Sequence, residues 1–150
     1  LHTNDAPSTI TRLQNMGTPD YLISAACQLV VAQRLARKNC KECKVPDDDV
    51  NPKVLQDLGF SAEQATRVKA IKGKGCAKCS DTGYKGRQGI YEILVVSKPL
   101  KEAILRKATT PELREIAIKE GFQTMQDMGR RLIAAGELNF REYERVLSNE

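Results

Sequence analysis

The 150-residue sequence has no apolar run near the ~20 residues that a membrane-spanning helix needs, and it shows no signal-peptide pattern. These absences predict a segment that does not enter a membrane and favour a cytosolic environment. Aromatic residues make up only 5% of the chain, and Tyr84, Tyr91 and Phe122 form no basic–aromatic platform for stacking bases. Direct nucleic-acid binding is therefore not expected, although a net charge of +5 and an isoelectric point near 9.0 permit an acidic partner.

Histidine is almost absent as well, because His2 is the only one in the chain. The sequence begins with Leu1 rather than methionine, and we expect such a start in a segment of a longer protein. A single histidine near a chain end is most often exposed and idle. The interpretation of His2 therefore depends on the motifs that follow it.

The apolar pattern predicts a mainly helical α/β chain. Residues 4–17 have a helical pattern that Gly17 ends, and a second helix is expected from Pro19. The β-branched start of 29–37 favours a mostly buried strand, and residues 86–96 alternate between two faces as a strand does. We expect these two strands to be neighbours in one sheet.

The segment between the strands is rich in Cys, Lys, Gly and Asp. It contains two short helical patterns, one opened by Asn51 and one by Ser61, where Gln64 stands in the capping-box position. After the second strand, four short helices are predicted by apolar stripes that begin at Leu100, Leu113, Met125 and Phe140.

The cysteine spacing is the strongest chemical signal in the chain. Cys40 and Cys43 form one CxxC motif, Cys76 and Cys79 form a second, and Cys27 stands alone in a predicted helix, where it is expected to be buried. Two residues between thiolates allow a tight turn to point both sulfur atoms at one metal ion, and two such turns complete a tetrahedron. The pattern predicts a structural Zn²⁺ site with four thiolate ligands.

Other interpretations of the paired cysteines are less favoured. Disulfides need an oxidising compartment, for which the sequence carries no signal. A thiol redox enzyme usually has a single CxxC motif at the start of a helix. An iron–sulfur cluster also uses four cysteines, but three of them are typically closer together. A closed site of four cysteines does no chemistry of its own and stabilises a small module that buries little apolar surface.

Bound zinc would also change the charge balance of the chain. Four thiolates and one Zn²⁺ carry −2, so the formal charge of +5 becomes about +3. Five lysines flank the cysteines and would offset this local negative charge: Lys38, Lys41, Lys44, Lys74 and Lys78. This role accounts for the lysines without nucleic acid.

Three motifs in order resemble a known family: "LHTNDAPSTITRLQNMG", then "AQRLAR" followed by CxxC, then "GCAKCSDTGYKGRQGIYEIL". They are similar to the C-terminal half of the ATPases that power type IV pilus assembly and type II secretion, the PilB/GspE family. The resemblance covers essentially the whole chain. The complete set of four cysteines resembles the pilus-extension and secretion branch, since the retraction branch lacks this module.

The resemblance implies a homo-hexameric motor with a RecA-like core that binds ATP and Mg²⁺. It works against a platform protein at the cytoplasmic face of the inner membrane, and hydrolysis drives extrusion of a fibre. The implied divisions are a RecA-like core in 1–39 and 86–96, a tetracysteine zinc module in 40–85, and a C-terminal helical subdomain in 97–150. His2 would belong to a His box near the nucleotide phosphates, with Thr3 beside it.

Other nucleotide-handling parts of such an ATPase are not in the sequence. No GxxxxGK[ST] loop occurs, and the acidic run 46–50 has no apolar strand before it, so the segment is not expected to hydrolyse ATP alone. Arg34 and Arg37 have two interpretations: contact with a nucleotide or neighbouring subunit, or ion pairing within the chain. A zinc-stabilised binding module for nucleic acid or a protein client is the alternative function.

Overall fold

The protein is described here by a computed structural model, which covers residues 5–148. These residues form both helices and strands, with helices in the majority, which confirms the predicted α/β class. The elements are α1 Ala6–Asn15, α2 Asp20–Ala26, β1 Leu29–Asn39, β2 Lys44–Pro46, α3 Pro52–Asp57, α4 Ala62–Arg67, β3 Ile71–Gly73, a 3₁₀ turn Ala77–Cys79, β4 Tyr84–Val95, α5 Lys98–Leu105, α6 Thr110–Lys119, α7 Met125–Ala134 and α8 Phe140–Leu147.

The strands form two two-stranded sheets, β1 with β4 and β2 with β3. Val96 N donates to Gln28 O, and Cys40 N donates to Gly83 O, so the start of one strand lies beside the end of the other and β1 runs antiparallel to β4. β2 and β3 are also antiparallel. The prediction that the two long strands are neighbours is therefore confirmed.

The prediction that strand β1 is mostly buried is wrong. Val30 and Ala32 are buried, whereas Leu29, Val31 and Leu35 are each about half exposed. Successive side chains of a strand point to opposite faces, and the described residues cover one face of this sheet. In β4 the predicted alternation is confirmed, because even-numbered positions from 90 to 94 are buried and odd-numbered positions from 91 to 95 are exposed.

The described residues divide into two compact units. In the first unit, residues 5–33 and 91–125, helices α1, α2, α5 and α6 pack on one another. Ile10, Leu100 and Leu113 are fully buried there. The predicted division into a core, a zinc module and a helical subdomain is a separate matter and stays a prediction.

The second unit comprises residues 34–90 and 126–148 and contains all four cysteines of the CxxC motifs. Its two short helices pack together: α3 is capped by Asn51, and α4 is capped by Ser61 in the predicted capping box with Gln64. Leu55 and Ile133 are buried within this unit.

A buried carboxylate, Glu92, binds two backbone N–H groups within the first unit, those of Ala6 and Met125. Ala6 N donates to Glu92 Oε1 at 2.6 Å, and Met125 N donates to Glu92 Oε2 at 3.0 Å. Ala6 and Met125 begin α1 and α7, where the helix dipole favours negative charge. Burial nevertheless raises the pKa of Glu92 above its usual range, because desolvation outweighs the two N–H donors.

The prediction that Cys27 is buried inside a helix is wrong. Helix α2 ends at Ala26, and Cys27 follows it in an extended conformation with a partly exposed side chain. Among residues 5–148, every helix is too short or too polar to cross a membrane.

Candidate metal centre

The four cysteines of the CxxC motifs lie together in the second unit. Cys40 follows β1, Cys43 precedes β2, Cys76 precedes the 3₁₀ turn, and Cys79 is its last residue. All four sulfur atoms are within 4.8 Å of one another, and no other described His, Cys, Asp or Glu side chain joins this group. Chain segments more than 30 residues apart therefore meet at one point, as the paired spacing predicted.

The distances between sulfur atoms match a tetrahedral metal site. Cys40 Sγ lies 3.8 Å from Cys76 Sγ, Cys43 Sγ lies 3.8 Å from Cys79 Sγ, and Cys76 Sγ lies 3.7 Å from Cys79 Sγ. A disulfide needs about 2.05 Å, and all five cysteines are free. Four sulfur atoms placed tetrahedrally at about 2.3 Å from one ion lie about 3.8 Å apart. The four sulfur atoms are therefore spaced as ligands of one metal ion with metal–sulfur distances of about 2.3 Å.

Backbone N–H groups point at two of the sulfur atoms. Gly75 N donates to Cys43 Sγ at 3.3 Å, while Cys76 N and Gly83 N both donate to Cys79 Sγ at 3.2 Å. Such donors favour the thiolate over the thiol, and thiolate is the form that binds metal.

The two sulfur atoms with these donors nevertheless differ in pKa. Burial raises the pKa of Cys79, but the N–H groups of Cys76 and Gly83 and the neighbouring sulfur atoms lower it more, to about 6. At Cys43, burial is opposed by the single N–H of Gly75 and reinforced by the other three cysteines, which raises the pKa to about 11. A cation placed among the sulfur atoms would favour the thiolate form of both.

Two glycines allow the chain that enters the second CxxC turn to lie against the chain that leaves it. A Cβ on Gly73 would stand 2.0 Å from Gly83 O, and a Cβ on Gly83 would stand 2.5 Å from Gly73 O. Gly83 also connects the two turns directly, since its N–H donates to Cys79 Sγ and its carbonyl accepts from Cys40 N at 2.9 Å. The sequence analysis found only that the glycines do not have the spacing of a phosphate-binding loop, and it did not predict this role for Gly73 and Gly83.

Asn39 joins three chain segments beside the cluster. It is 1% exposed, and its N–H donates to Glu137 O at 2.9 Å. Its Nδ2 donates to Ile71 O and to Gly136 O, each at 3.1 Å. Sequence reasoning missed this residue, because its only sequence signal is an asparagine immediately before the first CxxC motif.

Two of the five flanking lysines bind one carboxylate. Lys38 Nζ and Lys44 Nζ each lie 3.5 Å from a carboxylate oxygen of Glu137. Burial raises the pKa of Glu137, but the two lysines lower it more, so the net pKa is below its usual range. The other three, Lys41, Lys74 and Lys78, are exposed.

Arg34 and Arg37 both contact helix α8. Arg34 Nη1 donates to Val146 O at 2.6 Å, and Arg37 Nη2 lies 3.0 Å from Glu142 Oε1 with its guanidinium stacked on the Tyr84 ring at 4.0 Å. The ion-pairing interpretation is therefore confirmed for Arg37. His2 and Thr3, assigned to a His box, lie outside the described residues.

Comparison with known proteins identifies the family. A sequence model described as "Type II/IV secretion system protein" matches residues 1–145. The chain belongs to this family. Family membership supports the resemblance that the three motifs indicated.

Named relatives in the family are ATPases. The chain is 38% identical over 142 residues to the type IV pilus assembly ATPase PilB of Myxococcus xanthus. The matched region covers 95% of this chain and 25% of that PilB. The chain is 43% identical over 129 residues to PilB of Thermus thermophilus, covering 86% of this chain and 14% of that protein. The type II secretion system ATPase E of Vibrio cholerae is 34% identical over 145 residues, covering 87% and 28%. The chain thus spans about a quarter or less of its relatives' length.

Proposed function

We propose that this chain is part of an ATPase that drives type IV pilus assembly or type II secretion, and that it contributes a structural zinc centre and helical assembly elements. Family membership and the two groups of named relatives support the coarse assignment. Three distances of 3.7–3.8 Å among four sulfur atoms that all lie within 4.8 Å of one another carry the zinc assignment.

Zinc is the metal that this donor set favours. Thiolate ligands suit Zn²⁺ and iron–sulfur clusters, and two separate CxxC turns around one tetrahedron are typical of structural zinc. Four cysteine ligands, Cys40, Cys43, Cys76 and Cys79, leave no open coordination position. The ion would hold the two turns together and take no part in hydrolysis.

In this proposal, the nucleotide site is shared between this chain and other parts of the ATPase. His2 and Thr3 would approach the phosphates of ATP·Mg²⁺ as a His box, while the phosphate-binding loop would come from outside this chain. The ATPase would work as a homo-hexamer against an inner-membrane platform protein at the cytoplasmic face. The proposed divisions are a RecA-like core in 1–39 and 86–96, a zinc module in 40–85 and a helical subdomain in 97–150.

Two measurements on the purified chain test this proposal. Elemental analysis should find one zinc per chain, and ATP turnover should equal that of a buffer blank. Iron with a coloured chromophore, or no metal after expression in zinc-supplemented medium, would contradict the zinc assignment. Turnover that follows the chain through successive purification steps would contradict the assignment of hydrolysis to other parts of the ATPase.

A further inference from the structure

The loop between α7 and α8, residues 135–139, contacts the scaffold of both CxxC turns. On the side of the first turn, Glu137 O accepts from Asn39 N, and the Glu137 carboxylate pairs with Lys38 and Lys44, which flank Cys40 and Cys43. The loop therefore contacts residues on both sides of the first CxxC turn.

The same loop reaches the flank of the second turn. Asn139 Nδ2 donates to Tyr84 Oη at 2.9 Å, and Tyr84 directly follows Gly83, which donates to Cys79 Sγ. Asn139 also begins α8, because its Oδ1 accepts from Glu142 N at 2.7 Å. The start of α8 is thus fixed by a residue that is bonded to the metal-centre scaffold.

Asn39 connects these contacts to the cysteines. Its two side-chain hydrogen bonds bridge Ile71 O, on β3 ahead of the second CxxC turn, and Gly136 O in the loop. Because Asn39 is adjacent to Cys40 and fully buried, a shift of Cys40 moves a side chain that cannot find water as a replacement partner.

We propose that metal binding at the four cysteines and ordering of the α7–α8 segment are energetically coupled, with Asn39 as the positioning residue between them. This inference rests on the proposed zinc centre. The ion fixes Cys40, Cys40 fixes Asn39, and Asn39 with Glu137 fixes the loop that begins α8. Coupling of this kind is reciprocal, so the folded loop also raises the affinity of the cysteines for the ion.

Hydrogen exchange tests the coupling in the unmodified protein. Backbone exchange is compared between the zinc-loaded chain and the same chain after removal of zinc by a chelator under reducing conditions. Amides of 135–147 should exchange at least about tenfold faster without zinc, together with those of the two CxxC turns. Amides of α5 and α6, in the first unit, serve as the internal control and should not change.

A matched pair of asparagine variants tests the positioning role. Asn39→Ala should weaken Zn²⁺ affinity by about 10–100-fold in chelator competition, as loss of a supporting contact around a metal site typically does. Asn51→Ala makes the same chemical change in the same segment, at an exposed cap of α3, and should leave affinity unchanged. Co²⁺ bound to either variant should keep the absorption of four thiolate ligands.

The outcomes separate this inference from the proposed function. If zinc removal accelerates exchange only in the CxxC turns, or if Asn39→Ala binds Zn²⁺ as tightly as Asn51→Ala, the coupling is wrong and the zinc centre stands. A chain that binds no Zn²⁺ overturns both. Should Asn39→Ala fail to fold, the exchange comparison on the unmodified chain still decides the matter.

Discussion

Cys76 lies close to two other sulfur atoms, 3.8 Å from Cys40 Sγ and 3.7 Å from Cys79 Sγ. Cys27 is absent from the cluster and partly exposed. The same cysteine-to-serine change should therefore impair metal binding at Cys76 and leave it unaffected at Cys27, although the side chains are chemically identical.

We expect Cys76→Ser to lower Zn²⁺ affinity by more than about 100-fold, since changes to supporting residues alone cost about 10–100-fold. Cys27→Ser should retain one zinc per chain and should unfold at the same midpoint temperature as the unmodified chain. Zinc is counted after gel filtration in the presence of a weak chelator, and unfolding is followed by circular dichroism. Retention of full zinc by Cys76→Ser, or its loss from Cys27→Ser, would contradict the ligand assignment.

Residue-level prediction from the sequence succeeded where spacing alone decides the outcome. A CxxC turn is local, so two such turns are enough to predict a tetrahedral cluster from spacing. Asn39 and Gly83 were missed, because their roles arise only when segments more than 30 residues apart approach each other. The hydrogen bonds from Arg37 and Arg145 to the Glu142 carboxylate were missed as well, for the same reason in the case of Arg37.

At the scale of elements, α7 and α8 pack closely at Gly129. A Cβ on this residue would stand 2.4 Å from Leu147 Cδ1 and 2.7 Å from the Tyr143 ring. The leucine end can rotate away, but Tyr143 is buried and its ring is rigid. The absent side chain at Gly129 therefore sets the distance between the two helices.

We expect Gly129→Ala to destabilise the second unit by about 1–2 kcal/mol. Overpacking costs about 1–3 kcal/mol, and the better helix propensity of alanine offsets up to about 1 kcal/mol of it. Arg131→Ala, on the exposed side of the same helix, should change stability by less than about 0.5 kcal/mol. Urea unfolding of both variants measures the difference, and a Gly129→Ala variant as stable as the unmodified chain would refute the close contact.

Local patterns predicted the helices and the two long strands, because caps and glycine stops act within a few residues, but they did not predict the short strands β2 and β3. Ser61 and Asn51 accept the expected backbone N–H at a helix start, and Asn139 does the same at the start of α8. The burial of β1 was not predictable, since it depends on what covers each face of the sheet. A β-branched run indicates a strand but does not tell how many of its faces are covered.

At the scale of the whole chain, acid adds protons to a molecule that already carries a formal charge of +5. Glu142 opposes this trend within the second unit. It is fully buried, and both Arg37 and Arg145 donate to its carboxylate. Burial raises the pKa of Glu142, but hydrogen bonds from Arg145 and from the side chain and backbone of Arg37 lower it more, to about 2.

A pKa depressed from 4.5 to about 2 corresponds to about 3 kcal/mol of folding free energy, present above pH 4.5 and lost as the pH falls towards 2. We expect the stability difference between the unmodified chain and Glu142→Gln to be largest above pH 4.5 and to shrink by up to this amount at low pH.

Glu144→Gln, on the exposed side of α8, should show no such trend. Zinc content is measured for each chain at each pH, and chains are compared only where their zinc content is equal, so that the difference isolates the carboxylate. Urea unfolding at a series of pH values measures it, and a difference that stays constant with pH would show that Glu142 acts through packing rather than through its charge.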